Sequence, residues 1–260
     1  GFDLTFGVNM AMTPTSMETF DVEPLLVKMD NRWRLEDNSL HIAPTVAGEM
    51  DANQRPVLIR NIPIPGETLK FAMPNGSGFG KLPMPIAQLS VGLPFHTDVS
   101  LRFVPTIKVG DAGKIGLYGF AAKHSIKEYL PFISHLPALQ TAVMMGYTNL
   151  SAEIDVDYMN GTDQKLEINS GGFTTRFLVG VNIPVLSVYT GLGYGNTSSD
   201  FDLMGNYEGI GDNPISLTYK NTGFDFNAGL RLKLGFLAIH GDYTFGEYSM
   251  LTAGVGINIR

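Results

Sequence analysis

Apolar and polar residues alternate one by one at both ends of the chain. Near the N-terminus the apolar set is Phe2, Leu4, Phe6, Val8, Met10 and Met12, against Asp3, Thr5, Gly7, Asn9 and Ala11. The last ten residues repeat the pattern with Leu251, Ala253, Val255, Ile257 and Ile259, against Thr252, Gly254, Gly256, Asn258 and Arg260. A period of two places the two sets on opposite faces of a β-strand. Both ends of the chain are therefore predicted to be strands with one apolar and one polar face.

The same alternation recurs in eight further segments, less strictly in 114–123 and 138–149: 86–95, 99–108, 114–123, 138–149, 173–183, 186–195, 224–234 and 237–245. About ten residues is the length that a tilted strand needs to cross a bilayer. The pattern predicts an all-β antiparallel transmembrane β-barrel of ten strands. Twelve strands is the alternative, because Leu40–Val46, Val57–Ile64 and Thr68–Met73 could supply another pair.

A soluble sandwich or barrel would also alternate, but its water-facing side would carry Lys and Glu. Here the polar faces carry mainly Gly, Ser, Thr and Asn. Aromatic residues gather at strand ends, as in the girdles of outer-membrane barrels: Phe2, Phe95, Phe173, Tyr194, Phe224, Phe236, Tyr243 and Phe245. Both features favour a barrel whose apolar face meets lipid.

The composition agrees with this interpretation and excludes several classes of protein. Charged residues make up 17% of the 260 residues, against about 25% in ordinary domains, and the mean hydropathy is only +0.07. No run of about 18 apolar residues exists, which argues against transmembrane helices. The absence of Cys excludes disulfides and thiolate metal sites, and a net charge of −7 argues against nucleic acid as a partner.

The lengths of the predicted connections alternate between short and long. One side has Phe95–Asp98, 124–137, Pro184–Val185 and Gly235–Phe236, and the other has 13–85, 109–113, 150–172, 196–223 and Gly246–Met250. Outer-membrane barrels have short periplasmic turns and long extracellular loops. We therefore expect both chain ends to be periplasmic. Because the chain begins inside a strand, we also expect that a leader was removed and that mature residues precede Gly1.

We expect residues 1–260 to form a single barrel domain in which 13–85 is a long extracellular or lumen-folding segment. Nine prolines in 13–85 oppose regular central strands there. Residues 124–137 can place Ile126, Leu130 and Ile133 on one side of a short periplasmic helix. That helix lies at the inner membrane surface or packs under the barrel.

Catalytic and metal-binding patterns are weak in this sequence. His240 and Asp242 share one strand face, but no Ser is tied to them by spacing, so a lumen hydrogen bond is favoured over catalysis. Gly191, Gly193 and Gly195 follow no strand-to-helix transition and predict a curved wall rather than a phosphate loop. Two acidic clusters in the outer loops, Glu153, Asp155 and Asp157 and then Asp200, Asp202 and Glu208, are interpreted as solvated faces or as bridges to lipopolysaccharide through divalent ions. We predict no enzyme, metal site or cofactor.

The inward faces carry the few charges that remain within the predicted strands. The residues expected to line the lumen or a solute path are Arg102, Lys108, Arg176, Asp225, Arg231, Lys233, His240 and Asp242, with Asp3 facing the same side. In a narrow barrel such ions either neutralise one another or line water. An excess of Arg and Lys would favour anionic solutes if a path exists.

Two sets of residues resemble known outer-membrane sequences. Thr252, Gly254, Ile257 and Ile259 resemble the C-terminal signal that is read by the barrel-assembly machinery, although Arg260 replaces the usual final aromatic residue. Segments 1–9, 87–94, 114–117, 123–127, 189–194 and 251–257 resemble an uncharacterised family of Gram-negative outer-membrane barrels known only as a domain of unknown function. The organisation is more loosely similar to the fatty-acid and aromatic-hydrocarbon channel superfamily.

Two functions follow as expectations. The first is a passive channel or uptake porin for a small or hydrophobic solute. The alternative is a closed barrel that acts as a structural or accessory subunit of a larger outer-membrane complex. The expected partners are membrane lipid, lipopolysaccharide, the assembly machinery and a possible complex partner.

Overall fold

The computed structural model of the protein describes residues 1–28, 33–45, 47–61, 68–73, 75, 76, 78, 80–108, 113–156, 163–207, 211–213 and 215–259. The strands in these residues are β1 (Phe2–Met12), β2 (Thr19–Asp21), β3 (Trp33–Leu35), β4 (Ile42–Pro44), β5 (Val57–Asn61), β6 (Thr68–Ala72), β7 (Lys81–Leu93), β8 (Thr97–Lys108), β9 (Gly113–Ser125), β10 (Leu139–Asp155), β11 (Lys165–Asn182), β12 (Leu186–Met204), β13 (Asn206–Tyr207), β14 (Gly211–Asp212), β15 (Ile215–Leu234), β16 (Leu237–Phe245) and β17 (Ser249–Ile259). The helices are α1 (Glu23–Lys28) and α2 (Pro131–Ser134), with 3-10 turns at Thr15–Met17 and Lys127–Tyr129. Among the described residues, neither helix is long and apolar enough to cross a membrane.

Ten strands close into one antiparallel barrel, which confirms the predicted fold class. Their order around the wall is β1, β17, β16, β15, β12, β11, β10, β9, β8 and β7. The extra strand pair of the twelve-stranded alternative does not join this barrel, because β5 pairs with β6 on one side and with β3 on the other in a separate sheet.

The chain divides into two compact units. The first unit, Gly1–Asn9 and Pro83–Arg260, contains the barrel wall, and the second is Met10–Leu82. Within the second unit β2 pairs with β4, and β3, β5 and β6 form a three-stranded sheet. Its buried apolar side chains are Val22, Ala43, Leu58 and Ile59.

Several predicted bounds are wrong, because strands continue into segments that were expected to be loops. β7 begins at Lys81, inside the predicted 13–85 connection. β10, β11, β12 and β15 extend into the predicted loops 150–172 and 196–223. In those segments apolar residues face inward and polar residues face outward, which is the reverse of the pattern in the rest of each strand. The sequence pattern therefore indicated loops where the strands continue. The predicted connection 109–113 lies outside the described residues except for Gly113.

The short helix predicted in 124–137 is present as α2, with narrower bounds. His124 and Ser125 still belong to β9, and the segment that follows is a 3-10 turn and then α2. Leu130 separates them in an extended conformation, with φ −108° and ψ 97°. The residue before a proline disfavours the helical region, and Pro131 follows Leu130, so one continuous helix cannot form.

One rim of the barrel carries the short turns and both chain ends. The carbonyl of Gly1 accepts a hydrogen bond from the Gly92 N–H (2.8 Å), and the carbonyl of Phe236 accepts one from the Asn258 N–H (2.7 Å). The other connections at this rim are the three-residue turns Pro94–His96 and Ile183–Val185 and the longer segment 126–138. We call it the turn rim.

Candidate functional site

The outer face of the barrel is apolar and exposed along most of its strands. Leu192 is 58% exposed and Phe120 is 57% exposed, although each lies in the middle of a paired strand. The outward residues that share this exposure include Phe6, Leu101, Phe103, Phe173, Phe177, Val188, Phe226, Leu230 and Val255. We call this surface the apolar belt. A contiguous apolar surface of this kind is rare on soluble monomers and typical of a lipid-facing wall.

The polarity of the two faces inverts where four strands leave the belt on the side opposite to the turn rim. On β11 the outward residues change from Phe177 and Phe173 to Asn169 and Glu167, while the inward residues become Ser170, Ile168 and Leu166. The same inversion occurs on β10 after Tyr147, on β12 after Tyr194 and on β15 before Phe224. Water outside a bilayer requires polar residues on the outer face, so the inversion marks one edge of the apolar belt.

The two acidic clusters lie on these strand extensions rather than in loops. Glu153, Glu167 and Asp202 stand side by side on the outward face of β10, β11 and β12. Two lysines form ion pairs with these carboxylates. Lys165 Nζ lies 2.5 Å from Glu167 Oε1, and Lys114 Nζ lies 3.6 Å from Glu153 Oε2. Asp157 and Glu208, which completed the predicted clusters, lie outside the described residues. No group of three His, Cys, Asp or Glu residues in the described part of the chain could hold a metal ion.

Lys108 does not face the lumen, contrary to the sequence prediction. The pairing of β8 with β9 shifts between Val104 and Ile107, so that β8 carries one extra residue there. A bulge of this kind reverses the alternation beyond it. Lys108 therefore pairs with Lys114 on the outer face and is exposed.

Arg176 and Asp225 form an ion pair along the inner wall. Arg176 Nη2 donates to Asp225 Oδ1 at 2.5 Å, and the side chains are only 16% and 20% exposed. Arg176 lies on β11 and Asp225 on β15, so the pair crosses the intervening strand β12. There a Cβ at Gly193 would lie 2.5 Å from the Asp225 carboxylate, and one at Gly191 would lie 3.1 Å from Arg176 Cδ. The glycine run of β12 thus leaves room for an ion pair.

Tyr189 and Asp242 repeat this arrangement one strand further along the wall. The hydroxyl of Tyr189 on β12 donates to Asp242 Oδ2 on β16 at 3.3 Å. The strand between them, β15, has Gly229 at this point, and a Cβ there would lie 2.5 Å from the Tyr189 ring and 2.6 Å from Asp242 Cβ. Asp242, which the sequence paired with His240, therefore has a tyrosine partner in the lumen.

The carboxylate of Asp3, on β1, accepts hydrogen bonds from three side chains. Arg231 Nη2 bonds Asp3 Oδ2 from β15, across β16 and β17. Asn258 Nδ2 donates to the same oxygen at 2.8 Å, and Thr5 Oγ1 donates to Oδ1 at 2.9 Å. The carboxylate thus joins the first and last strands of the barrel to β15.

Arg102 is the inward cation of β8. Its Nη2 donates to Gln88 Oε1 at 3.0 Å. Asp242 interacts electrostatically with Arg102, Arg176 and His240, although β8 and β16 lie on different sides of the wall. We refer to Asp3, Arg102, Arg176, Asp225, Arg231 and Asp242 as the lumen charge network, which contains three guanidinium groups and three carboxylates.

The remaining predicted lumen residues lie at the edges of this network. Lys233 Nζ donates to Asn182 Oδ1 at 2.6 Å near the turn rim, and Asn182 also accepts a hydrogen bond from Ser187 Oγ at 2.7 Å. His240 faces inward beside Gly254, where a Cβ would lie 2.6 Å from the ring. Sequence reasoning assigned no roles to Gln88, Asn182 or Asn258, although the alternation places all three on inward strand faces.

The residues of the predicted assembly signal lie on β17. Ile257 and Ile259 are exposed on the apolar belt, and Thr252 and Gly254 face inward. Local packing also explains the glycine at position 254, because the His240 ring occupies the space that a side chain there would need. The signal itself stays a prediction.

Outside the wall, the pKa of Glu128 is lowered from its ordinary value. Glu128 lies in the 3-10 turn at the turn rim and is exposed. The hydrogen bond from its own backbone N–H, the largest cause, lowers the pKa of Glu128, and the Ser125 hydroxyl at 3.0 Å adds to this effect. Glu128 therefore stays ionised at neutral pH, on the solvent side of the segment.

The solved structures that match this chain over most of its length are only weakly similar to it. Ail, the attachment invasion locus protein of Yersinia pestis, is 8% identical with a TM-score of 0.34, and the match covers 98% of this chain and 94% of Ail. The translocator domain of the autotransporter NalP from Neisseria meningitidis is 11% identical with a TM-score of 0.37, covering 100% and 89% of the two chains. The CymD monoaromatic hydrocarbon channel is 9% identical with a TM-score of 0.14, covering 99% and 87%.

Sequence comparison identifies the family. A search of curated proteins finds no match. The model of a family of unknown function, DUF6588, matches residues 1–259, which confirms the predicted resemblance to a family that carries only this kind of label. The chain therefore belongs to DUF6588.

Proposed function

We propose that this chain is a bacterial outer-membrane β-barrel with a closed lumen, and that it acts as a structural or accessory subunit of an outer-membrane assembly. The apolar belt and the inversion of polarity support membrane insertion. Short turns and both chain ends share the turn rim, which supports a periplasmic position for that rim. Membrane lipid and lipopolysaccharide would then surround the wall, and the barrel-assembly machinery would insert it.

The lumen charge network is the observation that carries the closed state. A water-filled path would leave charged side chains facing solvent, whereas Arg176, Asp225 and Asp3 are held by partners on other strands. Three positive and three negative groups balance within a narrow ten-stranded barrel. Such a network pairs the inward ions across strands, which fits a closed wall better than a water-lined path.

A protruding strand edge supports contact with a partner. The pairing of β15 with β16 ends at Phe226 and Phe245, so within the described residues the outer part of β15 has a ladder on one side only. Leu217 and Tyr219 on that part are 62% and 57% exposed. An exposed strand edge is a ready site for pairing with an extended segment of another protein.

Conductance in planar lipid bilayers tests the closed state. We expect the purified wild-type protein to give no stable conductance steps. The matched variants are Arg176→Ala on the inner face and Lys108→Ala on the outer face. Stable wild-type steps that change in Arg176→Ala but not in Lys108→Ala would show a channel and would overturn this proposal.

Passage of a small or hydrophobic solute is the second candidate. Its support is a group of buried apolar residues on the inner face of β7, β8 and β9: Met84, Ile86, Val104 and Ile115. Below them Arg102 and Gln88 begin the charged part of the lumen. Because these side chains are buried, a solute would reach them only if the protein around them moved. The conductance measurement and a solute-uptake assay separate this function from the first.

Site-specific crosslinking tests the partner edge. A photoreactive amino acid at Tyr219 should give, in cells, one adduct of defined mass, because the edge of β15 is open. Phe201 is the matched control, since it lies on the same inward face of central strand β12 and is paired on both sides. Equal adducts at both positions, or none at Tyr219, would contradict a partner at this edge.

A further inference from the structure

Residues 126–137 between β9 and β10 form a compact segment, which we call the ledge. Lys127 is buried, and its Nζ donates to the carbonyls of Leu136 (2.7 Å) and Pro137 (3.2 Å). The backbone N–H of Ile126 donates to the Thr141 carbonyl at 3.0 Å. A lysine that binds the two carbonyls at the far end of the segment closes it into a loop of fixed shape.

The ledge packs on the outer side of the barrel and not beneath its lumen. Tyr129 stacks on His124 with ring centroids 5.8 Å apart, and His124 shares its face with outward-facing Val143 and Phe177. Thr141 also belongs to the outward face, in register with Val179, yet it is only 2% exposed. These contacts argue against packing under the barrel, one of the two positions that the sequence left open, and the position at the membrane surface stays a prediction.

The ledge presents aromatic and apolar side chains to its surroundings. Phe132 is 94% exposed and Tyr129 is 69% exposed, and Leu136 is exposed as well. Phe95 and Phe236, in the neighbouring turns of the same rim, are also exposed. An aromatic residue held almost fully open on a rigid segment indicates a surface that meets an apolar or interfacial environment.

The ledge lies close to the apolar belt, from which His124 alone separates it on the outward face of β9. An apolar depression of about 420 Å³ surrounds the outward-facing Ala122, with walls that include Leu101, Phe120, Met145 and Phe173. The next outward residue of β9 is His124, on which Tyr129 of the ledge stacks. Ala122, His124 and the ledge therefore form one surface that runs from the lipid-facing wall to the turn rim.

We infer that the ledge is an interfacial anchor that inserts Phe132 into the periplasmic leaflet of the membrane, a function that rests on the proposed outer-membrane barrel. Tyr129 lies at headgroup level, where an aromatic ring with a polar end is favoured. Glu128, ionised and exposed, faces water together with His96, whose Nε2 lies 3.9 Å from it. The anchor fixes the depth and tilt of β9 and β10 at the turn rim.

Single-cysteine labelling tests the anchor, because the native chain has no Cys. Phe132→Cys, Leu192→Cys and Thr218→Cys would each carry an environment-sensitive fluorophore in phosphatidylethanolamine and phosphatidylglycerol vesicles. Leu192 reports the belt, and Thr218 reports the outward face of the β15 extension. We expect nitroxide lipids to quench the Phe132 and Leu192 labels at least about two-fold more than the Thr218 label, and aqueous iodide to show the reverse order.

The three labels separate the failure of the anchor from the failure of the barrel assignment. Quenching by lipid at Leu192 but not at Phe132, with Phe132 open to iodide, would overturn the anchor and leave the membrane barrel intact. The aromatic surface would then be free for a periplasmic protein. Absence of lipid quenching at Leu192 would overturn the membrane barrel itself, and the anchor with it.

Discussion

Replacing Arg176 with Met should lower the free energy of unfolding of the barrel by about 3 kcal/mol, because the largely buried Asp225 carboxylate loses its cation. Removing one member of a buried ion pair leaves a charge in a poorly solvated site, which costs more than the pair itself contributes. The double variant Arg176→Met and Asp225→Leu should regain most of the loss, since no unpaired ion remains.

Urea unfolding in phospholipid vesicles, followed by far-ultraviolet circular dichroism, measures this effect. The only tryptophan, Trp33, belongs to the second compact unit, so its fluorescence would not report the barrel wall. Lys114→Met is the matched control, because the Lys114–Glu153 pair is 3.6 Å long and both side chains are well exposed. That variant should change the stability by less than about 1 kcal/mol. Equal losses in both single variants would show that Arg176 acts only as a surface charge.

Adding one methyl group at Gly7 should prevent tight closure of the barrel between its first and last strands. A Cβ at Gly7 would overlap the carbonyl oxygen of Ala253 and lie 2.9 Å from Gly254 Cα, and both are backbone atoms of the neighbouring strand β17. Backbone in a paired strand cannot move away as a flexible side chain can. We expect Gly7→Ala to lose about 3 kcal/mol and to reduce the folded, heat-modifiable fraction on unheated gels.

Gly223→Ala on β15 is the matched control for this prediction. A Cβ at Gly223 meets nothing within 4 Å, so the same substitution adds no overlap there. We expect its stability to stay within about 0.5 kcal/mol of wild type. A stability of Gly7→Ala equal to that of Gly223→Ala would show that the seam between β1 and β17 tolerates a wider spacing than the structure has.

The alternation of apolar and polar residues predicted the barrel strands and which of their side chains share a face, whereas closure with ten strands rather than twelve came from the strand pairing. Segments such as 224–234 keep a strict period of two, and this pattern specifies which side chains share a face without any knowledge of the neighbours. The inward positions of Arg176, Asp225 and Arg231 follow from the same local rule. The face of a strand on which a side chain lies depends on the residues next to it in the chain, so it can be predicted from the sequence alone.

Three features depended on contacts between distant strands. The bulge between Val104 and Ile107 turned Lys108 outward, because an extra residue on β8 is defined only by its pairing with β9. The inversion of polarity on β11 depended on where the wall leaves the lipid. The partners of Arg176 and Tyr189 depended on which strand lies between them.

Local alternation thus predicted an antiparallel barrel with an apolar outer face and most of the inward charges. The pairing of Asp225 with Arg176, the link from Asp3 on β1 to β15, and the space left by glycines such as Gly193 became visible only in the folded chain. The difference lies in the distance along the chain over which each feature is specified. Alternation is set within two residues along the chain, whereas an ion pair across strands needs a register that closure of the whole barrel fixes.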